Sequence, residues 1–198
     1  LNGNKMWITN GAINDNELGD VFLVYARTGS SRSEVSLFLV SKDMPGFSLG
    51  QRLHGKLGMR ASPTAELVFE DVRVPATHLV GSEHGAMHSM MRNLEIERLT
   101  LAAMSVGLAR RCVEIMNQYA SERQSFGQPL RAFGQIQRHL AESYAEYMAA
   151  RSYVYATANE LGLGQAGQRM DSDGVKLFAS TVGKQIADRA IQVLGGYG

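Results

Sequence analysis

One cysteine, Cys112, stands in 198 residues, which excludes a disulfide within the chain and a cysteine-rich zinc site. Charge of one sign is also lacking. The 20 Lys and Arg balance 19 Asp and Glu to a formal net charge of +1, so the basic footprint of a nucleic-acid binder is absent. No apolar run approaches the ~20 residues of a membrane-spanning helix. There is no serine–histidine–aspartate set and no phosphate-binding glycine loop. What is abundant is apolar sequence: 44% of residues are hydrophobic, enough for one large domain or two modest ones with buried cores. Residue 1 is Leu and is followed at once by strand-like sequence, so the chain reads as a piece of a longer protein, with any targeting signal outside it.

The scarce prolines divide the chain. Three of the four precede residue 76 and the next is Pro129. Within the first 80 residues, short β-branched and aromatic runs at 5–9, 21–25, 35–40 and 66–69 are bounded by turn chemistry such as Asn10-Gly11 and Pro45-Gly46. Beyond about residue 82, helix formers predominate. They predict helices over 83–121, 133–161 and 171–194, the last with Asp171 as N-cap. The expected fold is α+β: an antiparallel β domain over 1–78, then an antiparallel helical bundle over 79–198. In the first helix Met87, Met91, Leu94, Leu101, Leu108 and Cys112 recur at spacings of three, four or seven, which predicts a buried stripe.

One carboxylate falls on that stripe. Glu97 lies three residues after Leu94 and four and seven before Leu101 and Met104, with no cation one turn away. Burial there would raise its pKa and make it a base near neutral pH. Equally, it would hydrogen-bond another helix or reach water. Glu95, with Arg92 and Arg98 three residues to either side, reads as an ordinary surface ion pair. Trp7 and Thr9 share one predicted strand face, which suits a flat heterocycle or a tryptophan anchoring the β core. Arg123-Gln124-Ser125-Phe126-Gly127 and Gln192-Val193-Leu194-Gly195-Gly196 would serve an anionic ligand, or simply end helices with a cation and glycine caps. His84 and His88 have a zinc-like spacing without the metalloprotease glutamate, and Asp171-Ser172-Asp173-Gly174 runs into apolar residues instead of further calcium ligands, so no metal site is expected.

Several ordered segments carry a resemblance. Lys5-Met6-Trp7-Ile8-Thr9-Asn10-Gly11, Lys56-Leu57-Gly58-Met59-Arg60, Val68-Phe69-Glu70-Asp71-Val72-Arg73-Val74-Pro75 and the Arg123 and Gln192 segments together resemble the acyl-CoA dehydrogenases along the whole chain. The resemblance implies a flavoprotein that oxidises an acyl-CoA thioester to its trans-2-enoyl-CoA. It also implies a middle β domain followed by a helical bundle, with a helical domain before Leu1 and further helices after Gly198. Asn93-Leu94-Glu95-Ile96-Glu97-Arg98-Leu99 resembles the isovaleryl-CoA branch, which places Glu97 as the base that removes the α-proton.

By the same resemblance, Trp7, Ile8 and Thr9 contact the flavin ring. Arg123, Phe126, Gln192, Val193, Leu194, Gly195 and Gly196 hold the adenosine diphosphate part of a neighbouring subunit's FAD, which implies a homo-oligomer, usually a tetramer. His88, Glu95, Ile96 and Arg98 are implied to face the acyl-CoA, whose carbonyl oxygen is held by the flavin's ribityl chain and the base's own N–H. An electron-transfer flavoprotein is the implied acceptor, and no nucleic acid or membrane is expected as a partner. The implied location is the cytoplasm in a bacterium and the mitochondrial matrix in a eukaryote. His88 stands where isovaleryl enzymes have tyrosine, and Ala103-Met104 where they often have Gly-Gly, so the reading favours a longer branched substrate such as citronellyl-CoA over isovaleryl-CoA. The rival readings are a flavin oxidase on the same fold and a non-catalytic interaction protein. A chain of these residues alone is expected to hold little FAD.

Overall fold

The computed structural model describes residues 1–162 and 170–198. They form two compact units, Leu1–Ser89 and Met90–Gly198.

The first unit holds six strands: β1 (Gly3–Thr9), β2 (Val21–Arg27), β3 (Val35–Ser41), β4 (Phe47–Arg52), β5 (Thr64–Phe69) and β6 (Leu79–Val80). They pair antiparallel in two three-stranded sheets, ordered β1-β5-β4 and β2-β3-β6. The period-2 alternation that marks a half-buried strand is clearest in β5, where Ala65, Leu67 and Phe69 are buried. Phe22 of one sheet meets Phe47 of the other edge-on at 5.2 Å, and Phe47 stacks on Phe69 at 4.7 Å, so aromatic rings fill the space between the sheets. Strand β4 is legible only in part from sequence, because Gly50 sits at a register shift between Leu49 and Gln51 that breaks the alternation. The unit also runs further than residue 78: β6 pairs with β3, and Gly85 bridges Val35, so the segment before the first helix stays on the sheet.

In the second unit, α1 (Ala86–Glu122) begins within the β unit's last residues and continues through the helical unit. It is followed by a tight hairpin of β7 (Gln124–Ser125) and β8 (Gln128–Pro129), then α2 (Gly134–Glu160) and α3 (Asp171–Leu194). The three helices share one core, in which Ala102, Val106, Ala109 and Met116 of α1 meet Ala150 and Val154 of α2 and Val175, Ala179, Val182 and Ile186 of α3. Small side chains let the helix axes approach closely. Asp171 is not the N-cap of α3. Met170 occupies that place, and Asp171 and Asp173 lie in the first helical turn, where negative charge favours the helix dipole.

Candidate functional site

Helix α1 reverses the expected burial of its two glutamates. Glu95 is 2% exposed, and Glu97 is exposed. Glu95 shares its face with Ala102, Val106, Ala109 and Met116, the buried stripe at spacings of seven, four, three and seven. Its assignment to the surface is therefore corrected. Arg98, expected to pair with it there, meets Asp173 of α3 at 3.1 Å and ties the early part of α1 to the start of α3.

The stripe of large apolar residues is the face sequence spacing identified, yet it points outward. Leu101 is 47%, Met104 58% and Leu108 54% exposed, and Glu97 lies on that face with them. The physical reason is which face the other helices cover: the Ala102, Val106, Ala109 and Met116 face of α1 packs in the three-helix core, so the opposite stripe falls outside it. The result is an open apolar strip headed by a carboxylate. A carboxylate in this position is accessible to a ligand, and an apolar ligand lying on the strip would strip water from it. Ile96 is half-buried, and His88 is exposed near the start of α1. One implied contact is corrected. The Glu97 N–H lies well inside α1, where it belongs to the helical hydrogen-bond ladder, so it is not available to a thioester carbonyl.

At the far end of the same unit a second group converges. The Arg123 N–H donates to the Tyr119 carbonyl (2.9 Å), and the Tyr119 ring lies 6.4 Å from Tyr197, just past Gly195-Gly196. The hairpin after Arg123 turns through Phe126 (φ 51°) and Gly127 (φ 78°), two left-handed residues in succession, as a two-residue turn of this hand requires. Phe126 stands 95% exposed at its tip. This hairpin escapes the sequence reading because its strands are two residues each. On α3, Gln192 is exposed and Leu194 half-buried, but Val193 is buried in the helical core and offers a ligand only its backbone. Gly195 (φ 60°) caps the helix, and a Cβ on it or on Gly196 would meet nothing, so the backbone there is open to close approach. Glu97 and Glu122 are 25 residues apart on one helix, about 37 Å.

The β unit carries the third group. Trp7 is 75% exposed, so it does not anchor the β core. It adopts φ 60° at a register irregularity between Lys5 and Ile8, which interrupts the alternation that placed Trp7 and Thr9 on one face. A left-handed bulky residue costs about 1–2 kcal/mol, and such strain concentrates at functional sites. Thr9 is exposed and Ile8 half-buried. Among the described residues no three His, Cys, Asp or Glu side chains gather as metal ligands. His84 precedes α1, so its four-residue spacing from His88 is not a helical spacing.

Residues 1–72 match the family model of the acyl-CoA dehydrogenase middle domain, and residues 84–198 match that of the acyl-CoA dehydrogenase C-terminal domain. The chain belongs to the acyl-CoA dehydrogenase family. It is 42% identical to the mitochondrial 2-methylacyl-CoA dehydrogenase of Solanum tuberosum and 42% identical to the mitochondrial isovaleryl-CoA dehydrogenase of Oryza sativa subsp. japonica, in each case over 100% of this chain and 47% of the relative. Butyryl-CoA dehydrogenase from Megasphaera elsdenii superposes with a TM-score of 0.89 at 34% identity, covering 100% of this chain and 50% of that one. An FAD complex of PigA superposes with a TM-score of 0.88 at 31% identity, covering 99% of this chain and 50% of that one. The chain thus spans about half the length of the curated relatives it matches.

Acyl-CoA dehydrogenases are FAD-dependent oxidoreductases. The residues on this chain fit such a group. An exposed indole and an exposed hydroxyl, Trp7 and Thr9, suit an isoalloxazine. An exposed arginine, an exposed phenyl ring and two unobstructed glycines suit a nucleotide diphosphate.

Proposed function

We propose that the whole protein catalyses FAD-dependent α,β-dehydrogenation of a branched acyl-CoA to its trans-2-enoyl-CoA, with Glu97 as the base. The observation that carries this reading is the contrast between the two glutamates of α1. Glu97 is exposed at the head of the Leu101, Met104 and Leu108 strip, whereas Glu95 is buried beyond the reach of a substrate. An acyl chain laid on the strip sets its α-carbon against the carboxylate and its apolar tail against the helix. Water excluded by that contact leaves the carboxylate with fewer hydrogen bonds and a stronger hold on the α-proton. Oxidised flavin, when bound, accepts the hydride that leaves the β-carbon. Trp7, Ile8 and Thr9 serve to orient its ring, Thr9 by hydrogen bonding. Glu95, buried and on the adjacent face, positions α1 and does not touch substrate. Arg98, paired with Asp173, holds the same turn.

The flexible thioether of Met104 offers a longer branched tail an adaptable apolar contact, which supports citronellyl-CoA over isovaleryl-CoA. The ~37 Å between Glu97 and the Arg123 end supports assigning the two groups to different FAD molecules. Arg123, Phe126, Gln192, Gly195 and Gly196 therefore serve a neighbouring subunit's FAD, and the working protein is a homo-oligomer, a tetramer by family likeness. An electron-transfer flavoprotein is the proposed acceptor.

Anaerobic reduction of the flavin of the whole protein by a panel of acyl-CoA thioesters tests this reading. Bleaching by citronellyl-CoA with a higher kcat/KM than by isovaleryl-CoA is the expected result. A flavin that no acyl-CoA reduces overturns the activity, and a preference for a short straight chain overturns the substrate assignment.

A further inference from the structure

His84 stands where glycine would cost less. Its φ of 61° is left-handed, and the next residue is Gly85. Two hydrogen bonds hold it, and a third joins their partners. Its N–H donates to Ser36 Oγ at 2.8 Å, Ser36 Oγ lies 2.6 Å from Thr28 Oγ1, and Thr28 Oγ1 lies 3.0 Å from His84 Nδ1. Ser36 is fully buried, while His84 is partly exposed.

The donors and acceptors close only one way with a neutral imidazole. The His84 N–H donates to the Ser36 hydroxyl, Ser36 donates to Thr28, and Thr28 donates to Nδ1, so each hydroxyl gives one hydrogen bond and receives one. The proton of the neutral ring then sits on Nε2, which faces Glu83 Oε1 at 3.8 Å. Protonating Nδ1 reverses the sequence. Nδ1–H must now donate to Thr28, Thr28 to Ser36, and Ser36 then accepts twice while its own buried hydrogen has no acceptor in the ring. Leaving a buried donor unmade shifts an equilibrium by about five- to a hundredfold.

We propose that this ring is an acid-sensitive latch: with His84 neutral it pins the segment before α1 to the ends of β2 and β3, and proton uptake by His84 releases it. The carboxylates that face the imidazole are Glu83, next in the chain, and Glu34 in the β2–β3 connection, which feels the charge of His84. Glu34 is itself held by the Ser31 N–H, which keeps its carboxyl below the usual carboxylate range. Both provide counter-charge for an imidazolium, and Glu34, across the latch, resists its departure, so the release rests on the buried Ser36 hydrogen that the reversed hydroxyls leave without an acceptor. The latch is independent of the flavin chemistry, since none of its three residues belongs to the proposed site.

Hydrogen exchange of the whole holoprotein, read by mass spectrometry on the peptide spanning residues 82–90 and corrected for intrinsic rates, tests it. The expected result is about tenfold faster exchange at pH 5.5 than at pH 8.0 in that peptide, with no change in β4 and β5. Thr28→Val removes the hydroxyl relay, and His84→Asn keeps a residue tolerant of left-handed backbone while removing the titration. Each should abolish the pH difference, and either one suffices if the other fails to fold. Wild-type exchange that is independent of pH, or a pH difference that survives in the folded variants, overturns the latch.

Discussion

The two units build their cores differently, one around stacked aromatic rings and the other around alanines and aliphatic side chains. The β unit puts its largest side chains inside, with Phe22, Phe47 and Phe69 in ring contact, and every second residue of β5 follows them. The helical unit mixes alanines with valines, Met116 and Ile186 inside and leaves Leu101, Met104 and Leu108 outside. On α1 the stripe opposite the core stays open, and it is there that the acyl chain and the base are proposed to meet.

The largest expected effect breaks this comparison at its sharpest point. Glu97→Gln keeps the shape of the side chain and removes the carboxylate proposed as the base, so turnover should fall by about 10²–10⁴-fold while FAD absorbance is retained. Glu95→Gln alters a buried group and should lower thermal stability, with a smaller loss of turnover in the fraction that remains folded. Equal kinetic losses in the two variants, with both folded, would show that burial does not separate their roles.

Next in size are core substitutions that test the materials themselves. Phe47→Ala removes a ring from both aromatic contacts and should destabilise the β unit by about 3–5 kcal/mol, measured by denaturant unfolding. Ala109→Leu, at a position where the helices pack closely, should cost about 1–3 kcal/mol by overpacking. Leu108→Ser, one residue away and outward, should change stability by less than about 0.5 kcal/mol and instead raise KM for long-chain substrates. A destabilisation by Leu108→Ser as large as that of Ala109→Leu would mean that the outward face is core.

These contrasts also mark what the sequence made legible. Helix α3 begins at Asp171 and ends at Leu194 as its composition predicts, and β2 and β3 start where their β-branched runs start. Spacing groups Glu97, Leu101 and Met104 on one face, and all three are exposed. Which way that face points was not legible, because helical periodicity reports which residues lie together and not which stripe a neighbouring helix covers. The pattern of alanines at 102, 109 and 120 held that information, but a small side chain carries little hydrophobic signal. Trp7 shows a second limit: strand alternation assumes regular backbone, and a left-handed residue at a register shift has no signature in the local residue types. The hydroxyls of Thr28 and Ser36 face each other across the β2–β3 connection, eight residues apart, and His84 reaches them from a segment 48 residues beyond Ser36, which local sequence does not reveal.

Trp7 separates local stability from cofactor retention. Its exposure and strained backbone predict that Trp7→Gly leaves the unfolding midpoint unchanged or slightly raised, since glycine relieves the left-handed strain. Flavin release on dilution should be faster in that variant, because an aromatic face is lost. A drop in stability with unaltered flavin retention would place Trp7 in the β core's packing after all.

The smallest expected effect concerns acid stability and returns to the helical unit's polar surface. Between α2 and α3, Arg189 grips Glu146 through two bonds of 2.6 and 3.0 Å, while Glu142 accepts from Arg138 at 2.7 Å and lies 3.8 Å from Arg189. The Arg138 guanidinium holds the Glu142 carboxyl below the usual carboxylate range, so folding favours its ionised form. That contribution is complete above the unfolded carboxylate value, near 4.3, and is lost as pH falls through the lower folded value. The pair therefore adds acid sensitivity below about pH 4.5 and none between pH 6 and 9, where both partners keep their charge in either state. Because the pair is solvent-screened, Arg138→Gln should lower the melting temperature at pH 7 by only about one to two degrees and flatten its decline between pH 5 and 3.5. The same acid decline in the variant and the wild type would show that the Arg138 guanidinium does not set the ionisation of Glu142, while the doubled Arg189–Glu146 hydrogen bond should keep α2 and α3 cross-linked in both proteins at pH 7.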